Sequence, residues 1–122
     1  MPHTKRPVNS HRAYHAHVYF DQESPESTAV ARRLRDAIAK TFDLSVGRFH
    51  ERPIGPHPTG SFQVTFRNRD FDRLIPWLDA HREGLSVLIH PLTRDHVKDH
   101  TDDAAWLGDS VALNLGRFRR AT

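Results

Sequence analysis

Histidine offers the most reactive chemistry in this sequence, with ten in 122 residues and no cysteine beside them. His15 and His17 are two positions apart, and because side chains alternate along a β-strand, both imidazoles would lie on one face of a sheet. His90 ends a second apolar run, residues 85–90. Imidazole binds metal ions and titrates near neutral pH, so these residues could bind a metal or transfer protons.

Length and composition limit the setting of this chemistry. A chain of 122 residues is the size of one domain and can bury a real core. The absence of cysteine excludes disulfides, thiolate metal sites and a catalytic thiol, and it fits a reducing compartment. No run approaches the roughly 20 apolar residues that span a bilayer, and the first dozen residues contain no apolar stretch of a signal peptide. We therefore expect a cytoplasmic protein without a membrane partner.

The basic charge raises nucleic acid as a partner. The formal net charge is +3 and the isoelectric point is near 9.8, so the placement of the 18 Lys and Arg residues decides the matter. Several lie on a predicted helix among acidic neighbours and others lie in the C-terminal tail, so no continuous basic surface forms. We expect solvated helix faces and no nucleic-acid binding.

The apolar pattern predicts the order strand, helix, strand, strand, helix, strand. Ser24 and Pro25 predict the start of the first helix, which ends near Phe42, and Gly84 follows the second, whose start is left uncertain by Pro76. Val111, Leu113 and Leu115 alternate as a candidate fifth strand. The four strands are predicted at about 13–20, 45–52, 61–66 and 85–90, with a loop at 53–60.

This order predicts an α+β fold of the ferredoxin-like βαββαβ type, with two helices on one face of a four-stranded antiparallel sheet. The other face is left open. We expect a disordered N-terminal tail at 1–12, a single domain at 13–115 and a basic C-terminal tail at 116–122.

Alternation places four histidines on the open face. In the usual strand order for this fold, 4-1-3-2, the end of strand four lies beside the start of strand one, so His90 should neighbour His15. Facing side chains are then close enough for His15, His17 and His90 to bind one ion. The alternatives are a polar dimer interface or an uncoordinated sheet surface, and a one-residue slip would turn these side chains to the helix side. The open face is predicted to present His15, His17, Tyr19, Arg48, His50, Gln63, Thr65, Leu88 and His90.

Other histidines have weaker patterns. His57 lies between two prolines that would fix its loop, which suits a functional imidazole or a simple hairpin turn equally. His50 is on the correct face but at the far end of strand two. His3, His11 and His81 are expected in a tail or on an exposed helix face, without function.

Three histidine motifs, in order along the chain, resemble those of the DOPA 4,5-dioxygenase family of fungal-type extradiol ring-cleaving enzymes. They are His-Ala-His-Val-Tyr-Phe at 15–20, Gly-Pro-His-Pro-Thr-Gly-Ser-Phe at 55–62 and Leu-Ser-Val-Leu-Ile-His-Pro-Leu-Thr-Arg at 85–94. The segments around 99–100, 106–108 and 113–115 are similar too. The likeness covers about residues 13–115, and five histidines occupy its motif positions: His15, His17, His57, His90 and His100.

The resemblance implies an oxidoreductase that uses molecular oxygen to cleave a catechol-type ring next to its two hydroxyls, with a non-haem metal. Fe(II) is the expected cofactor, with Mn(II) or Zn(II) as alternatives in isolated protein. Such a metal needs about three protein ligands, with its other coordination positions open for the diol and O2. His15, His17 and His90 would provide the three ligands. No Asp or Glu lies on the predicted open face, so Glu51, Asp95 and Asp99 could join only if a loop or the tail folded back.

The remaining polar residues suggest the rest of the chemistry. His57 or His100 would transfer protons, because imidazole titrates near the working pH. Tyr19 could orient the substrate by hydrogen bonding, Arg48 could meet a substrate carboxylate, and Gln63 is a further candidate substrate-binding residue. The partners expected are a small aromatic diol, O2 and a second copy of the chain. A non-catalytic dimeric module that binds a ligand or metal is the alternative function, and a nucleic-acid binder is the third.

Overall fold

The computed structural model describes residues 5–119, so the outer ends of both predicted tails, 1–4 and 120–122, lie outside the described residues. The chain forms five strands and four helices within that range. The strands are β1 (Ala13–Phe20), β2 (Ser45–Val46), β3 (Gly60–Arg67), β4 (Val87–Pro91) and β5 (Ala105–Leu107). The helices are α1 (Pro25–Thr41), α2 (Asn68–His81), α3 (His96–Asp99) and α4 (Gly116–Arg119).

Helix α1 begins where its capping residues predict. The Ser24 side chain accepts a hydrogen bond from the Ser27 backbone N–H at 3.1 Å, and Pro25 occupies the first turn, where its missing N–H costs nothing. Ala31, Leu34 and Ile38 are buried at helical spacing. The helix therefore packs on the sheet through one apolar face.

Helix α2 begins earlier than the apolar pattern alone shows. The carboxylate of Asp70 accepts the backbone N–H of Arg67 at 3.0 Å and caps the first turn. Pro76 lies inside the helix, which nevertheless continues to His81, and Gly84 with a φ of 83° takes the chain out of the helical direction. Four apolar side chains of α2 are buried against the sheet: Phe71, Leu74, Ile75 and Leu78.

The sheet has the order β2-β3-β1-β4-β5 with antiparallel pairs throughout, so the predicted order of the first four strands and the ferredoxin-like α+β fold are confirmed. Strand β1 is central and pairs with both β3 and β4. The register places His15 directly opposite His90 and His17 opposite both Leu88 and Gln63. The predicted alternation is therefore correct on the three strands that matter most for the site.

The second strand is shorter than the prediction of 45–52. It stops at Val46, although the Gly47 N–H still donates to the Gln63 carbonyl at 2.7 Å, and an isolated bridge between His50 and Ser61 resumes the pairing. The Gly47 carbonyl accepts two hydrogen bonds from the Arg35 guanidinium, at 2.9 and 3.1 Å. The Gly47 carbonyl is thus satisfied by a side chain of α1 at the point where the ladder ends.

The fifth strand exists, but the prediction placed it wrongly. Strand β5 is 105–107, paired with β4, whereas residues 111–115 form no strand. Val111 and Leu113 pack instead against a small apolar cluster on the face opposite the helices. Their alternation reflects one-sided packing, which a strand also shows. The cluster consists of Tyr19, Leu88, Ala104 and Trp106.

The main core lies between the sheet and the two long helices, where Phe62, Phe66, Ile38 and Leu74 are almost fully buried. The opposite face is partly covered by the segment after β4. Within residues 5–119, none of the helices has the length and apolar character that crossing a membrane requires. The proposed division into tails and a domain stays a prediction, although Lys5 already accepts a backbone hydrogen bond from Trp106 at 2.9 Å.

Candidate metal and catalytic site

Three histidines meet on the sheet face opposite the helices. His15 and His17 come from β1 and His90 from β4, and one ring nitrogen from each lies within 4.8 Å of the other two. His17 and His90 are buried, at 4% and 3% exposure, whereas His15 is partly open to solvent. The strand register thus produces a compact set of nitrogen donors with one accessible side.

Hydrogen bonds fix the proton positions on His90 and His17. The Nδ1 of His90 lies 2.8 Å from the Pro91 carbonyl, which can only accept, so Nδ1 carries the proton and Nε2 keeps a lone pair. The Nε2 of His17 lies 3.0 Å from the Nε2 of His90 and donates to its lone pair. A backbone carbonyl on the outer nitrogen is the usual way in which proteins orient a metal-binding imidazole.

Burial keeps these imidazoles neutral. Desolvation is the main cause that lowers the pKa of His90 to about 3, followed by the repulsion that a second proton on His100 would add, against a smaller opposing effect of the Pro91 hydrogen bond. Desolvation, followed by the repulsion that protons on His57 and His90 would add, holds the pKa of His17 well below its usual range. The pKa of His15 is lowered too, chiefly by burial. Only neutral imidazole binds a metal ion, so the site favours the binding form.

The donor set fits a transition-metal ion. Two nitrogens bound to one ion at about 2.1 Å and at right angles would lie about 3.0 Å apart, which is the separation of the two Nε2 atoms of His17 and His90. Imidazole ligands suit Fe, Zn, Cu and Ni. Asp99 does not join this set, because its oxygens accept from the Thr93 N–H at 2.9 Å and the Thr93 hydroxyl at 2.6 Å. His15, His17 and His90 could therefore bind a metal without a carboxylate.

His57 is placed beside this cluster by its loop and by Tyr19. Its ring centre is 4.1 Å from that of His17, and its Nδ1 lies 2.6 Å from the Tyr19 hydroxyl. Burial raises the pKa of Tyr19, so the phenol stays protonated, and His57 is the partner of its hydroxyl. We assign the phenol as the donor to Nδ1, because His57 is its only hydrogen-bond partner among the described residues, and this assignment puts the proton of neutral His57 on Nε2. Burial lowers the pKa of His57 to about 4.

His100 flanks the cluster at His90. The two ring centres are 4.0 Å apart, and the Nδ1 of His100 donates to the His96 carbonyl at 2.7 Å, which leaves its Nε2 with a lone pair. Phe118 packs against His100 with ring centres 4.7 Å apart. Burial is the main cause that lowers the pKa of His100, while the hydrogen bond to the His96 carbonyl, and then the nearby Asp99, oppose it.

Asp99 is a residue whose role the sequence did not reveal. It is 1% exposed, and its two bonds to Thr93 tie the end of α3 to the segment just after β4. This tie fixes the turn from which His100 projects. A Thr six residues before an Asp is too common to indicate such a contact, so the sequence contains no clear signal for it.

A cavity of about 250 Å³ opens next to His17 and His57, with Gln63 in its wall. Its volume is just below the roughly 300–1,000 Å³ of sites for drug-sized ligands, so it suits a single substituted ring. Gln63, a candidate substrate-binding residue from the sequence, thus lines this cavity. Arg48 is exposed and lines an adjoining groove instead. The remaining wall of the cavity consists of His50, Ile54, Gly55, Pro56 and Ser61.

The fold and the site together define a class: an α+β sheet protein with a histidine cluster that could bind a metal, next to a ring-sized cavity. The model of the Dopa 4,5-dioxygenase family matches residues 14–117. The chain therefore belongs to the Dopa 4,5-dioxygenase family, as its motifs predict.

Individual relatives agree with this membership. The chain is 34% identical over 113 residues to the DOPA 4,5-dioxygenase of Amanita muscaria, and 38% identical over 117 residues to an uncharacterized 21.2 kDa protein of Botryotinia fuckeliana. Each alignment covers 88% of this chain but only 50% and 64%, respectively, of the fungal protein. The chain thus spans about half to just under two thirds of these relatives.

A solved structure matches over nearly the whole chain. The crystal structure of a candidate dioxygenase from Nostoc punctiforme superimposes with a TM-score of 0.86 at 42% sequence identity. The match covers 97% of this chain and all of that one. Family membership and this structural likeness support the interpretation that the protein is an oxygenase.

Proposed function

We propose that this protein is an extradiol dioxygenase, which cleaves the ring of a catechol-type substrate with O2 at the cluster of His15, His17 and His90. The observation that supports this best is the convergence of three neutral imidazoles beside a ring-sized cavity in a member of a dioxygenase family. The name of the Amanita relative points to a DOPA-like diol as the substrate class.

His15, His17 and His90 are the proposed metal ligands. Fe(II) bound there would supply the redox chemistry that lets O2 react with a catechol, and three protein ligands would leave positions for both reactants. Before metal binding, the proton that His17 shares with His90 must move to the other nitrogen of His17. The Pro91 carbonyl holds His90 in the tautomer that binding requires.

His57 and His100 have different proposed roles. Since Tyr19 occupies Nδ1 of His57, this residue presents an N–H to the cavity and can donate a hydrogen bond to a negatively charged catechol oxygen. His100 presents a lone pair instead, because its proton is fixed on the His96 carbonyl. We therefore assign the proton acceptor to His100, the stabilising donor to His57, and to Tyr19 the task of positioning His57.

Gln63 is placed to contact the ring substrate, because it lines the cavity and faces His17 across the β1–β3 pair. Its amide can both donate and accept. Arg48 lines the adjoining groove, and we propose that it binds the carboxylate of a longer substrate there.

The test is anaerobic loading with Fe(II), followed by oxygen uptake over a small panel of catechols. We expect near-stoichiometric iron and a yellow muconic semialdehyde product. Parallel loading with Mn(II) and Zn(II) identifies the active metal. Iron and catechol binding without oxygen consumption would refute the enzymatic proposal and favour the non-catalytic module.

A further inference from the structure

The ring-sized cavity adjoins a second depression, the groove that contains Arg48 and takes no part in cleavage of the ring itself. A groove of about 450 Å³ lies beside it, and His50 and Ile54 line both. A ring substituent directed away from the histidine cluster past His50 would enter this groove. The groove is lined by the continuous segment 48–54.

His50 is rigidly placed at the junction. Its backbone N–H donates to the Ser61 carbonyl and its carbonyl accepts from the Ser61 N–H, both at 2.9 Å. Among the described residues, no hydrogen bond to the His50 ring is found, whereas Tyr19 holds the ring of His57. His50 thus has ring nitrogens free to bind a ligand in either space.

The groove is positively charged. Arg48 and Arg52 are exposed in its wall, and within residues 5–119 neither has a carboxylate oxygen within 4.0 Å. The acidic residue between them, Glu51, is paired with Arg32 at 3.3 Å. Two guanidinium groups therefore remain available to a ligand.

The segment that forms the groove is also anchored. The Phe49 ring stacks on Phe20 with centres 4.6 Å apart, and the Arg32 guanidinium carbon lies 4.3 Å from the centre of the Phe49 ring. The arginines on either side are therefore attached to a fixed backbone. A preorganised pair of cations binds an anion at a smaller entropic cost than a mobile pair.

We propose that His50, Arg48 and Arg52 form a substituent subsite, which selects catechols with an anionic side chain over uncharged ones of the same size. This inference rests on the proposed function, because it requires a diol at the histidine cluster. His50 would donate a hydrogen bond to the substituent at the junction, and the two guanidiniums would bind its carboxylate.

The test compares 3,4-dihydroxyphenylacetate with 4-ethylcatechol, which has a two-carbon side chain but no charge. Binding to Fe(II)-loaded protein is measured by calorimetry without oxygen. We expect the wild-type protein to prefer the acid by about tenfold, equivalent to about 1.4 kcal/mol. Arg52→Gln, Arg48→Gln and His50→Ala should each reduce this preference severalfold. Arg33→Gln is the matched control, since it removes an equal charge from the exposed side of α1.

Several results would overturn the subsite. They are equal affinity for the two ligands in the wild-type protein, an unchanged preference in the three subsite variants, or an equal loss in Arg33→Gln. Circular dichroism and iron content confirm that each variant is folded and loaded.

Oxygen uptake with unsubstituted catechol tests the proposed function separately. Preferential binding without uptake refutes only the enzyme, uptake without preference refutes only the subsite, and failure of every diol to bind refutes both.

Discussion

At the scale of single residues, the proton positions on the histidines are decided by carbonyls and one phenol. Pro91, His96 and Tyr19 each hold one ring nitrogen of a different histidine. These contacts leave lone pairs on His90 and His100, and an N–H on His57. Three identical side chains thereby acquire the different chemical properties that the proposed ligand, base and donor require.

Replacing a proposed ligand tests the metal site directly. We expect His17→Ala to lower the affinity for iron by more than the roughly 10–100-fold that loss of an outer-shell partner costs, because a bond to the ion itself is removed. Iron analysis after gel filtration measures this, with an unchanged circular dichroism spectrum as evidence of folding. His81→Ala, an exposed histidine of α2, is the control. Unchanged iron in His17→Ala would refute the ligand assignment.

Replacing Tyr19 tests how His57 is positioned. Tyr19→Phe removes the 2.6 Å hydrogen bond while keeping the buried ring, so His57 can carry its proton on either nitrogen. We expect turnover to fall about tenfold, and by about 100-fold in His57→Ala, in line with the usual contributions of such groups. Iron content should stay constant in both variants. Loss of iron from His57→Ala would instead make His57 a ligand.

At the scale of elements, the site requires β1 and β4 in one register and two loops anchored over the sheet. The loop before β3 is joined to the C-terminal segment by the Asn114 N–H, which donates to the Pro56 carbonyl at 2.8 Å. Gly60, where β3 begins, packs beneath Phe20 and its N–H donates to the Gln22 side chain. The orientation of His57 depends on this junction.

Gly60 has no room for a side chain. A Cβ there would lie 2.7 Å from two ring carbons of Phe20, so the ring or the strand must move. We expect Gly60→Ala to lower the free energy of unfolding by about 1–3 kcal/mol, the usual cost of overpacking. Urea denaturation measures it. In Gly116→Ala the nearest atom would be at 3.6 Å, so its stability should be unchanged. Equal stabilities in the two variants would contradict this packing.

The strand predictions succeeded where alternation was supported by pairing on both sides, as in β1 between β3 and β4. Strand β2 ends earlier than predicted, where the Arg35 side chain of the preceding helix hydrogen-bonds to the Gly47 carbonyl, a contact that alternation does not reveal. The prediction of a strand at 111–115 was wrong for a similar reason, since alternation does not distinguish a paired strand from a segment that packs one face on an apolar cluster. Tertiary contacts decide both cases.

At the scale of the whole molecule, the predicted βαββαβ order was enough to bring distant histidines together. His15 and His90 are neighbours because an antiparallel β1–β4 pair permits no other arrangement once the register is fixed. The positions of His57 and His100 were not derivable from this order, because both lie in irregular segments. Dimerisation stays a prediction, and the segment after β4 already covers part of the open face.

Neutral buried histidines make the stability of the metal-free protein depend on pH. The pKa values of His57 and His90 are lowered to about 4 and about 3 in the folded state, so between those values and about 6.5 the unfolded chain binds more protons. The free energy of unfolding is therefore unaffected by these groups above about pH 6.5. As the pH falls below that value, it decreases by about 1.4 kcal/mol per pH unit for each such histidine. Urea midpoints at pH 7, 6 and 5 should therefore decrease. A constant midpoint would contradict neutral burial.

The central position of β1 divides the site into a part that stays fixed and parts that can open. A strand paired on both edges belongs to the part of a fold that opens last, whereas peripheral segments open at much lower free energy. We therefore expect the segments that hold His57 and His100 to open more readily than the strand that fixes the spacing of His15 and His17. Amide hydrogen exchange would show this as two separate timescales, slow in the strand and fast in the surrounding loops.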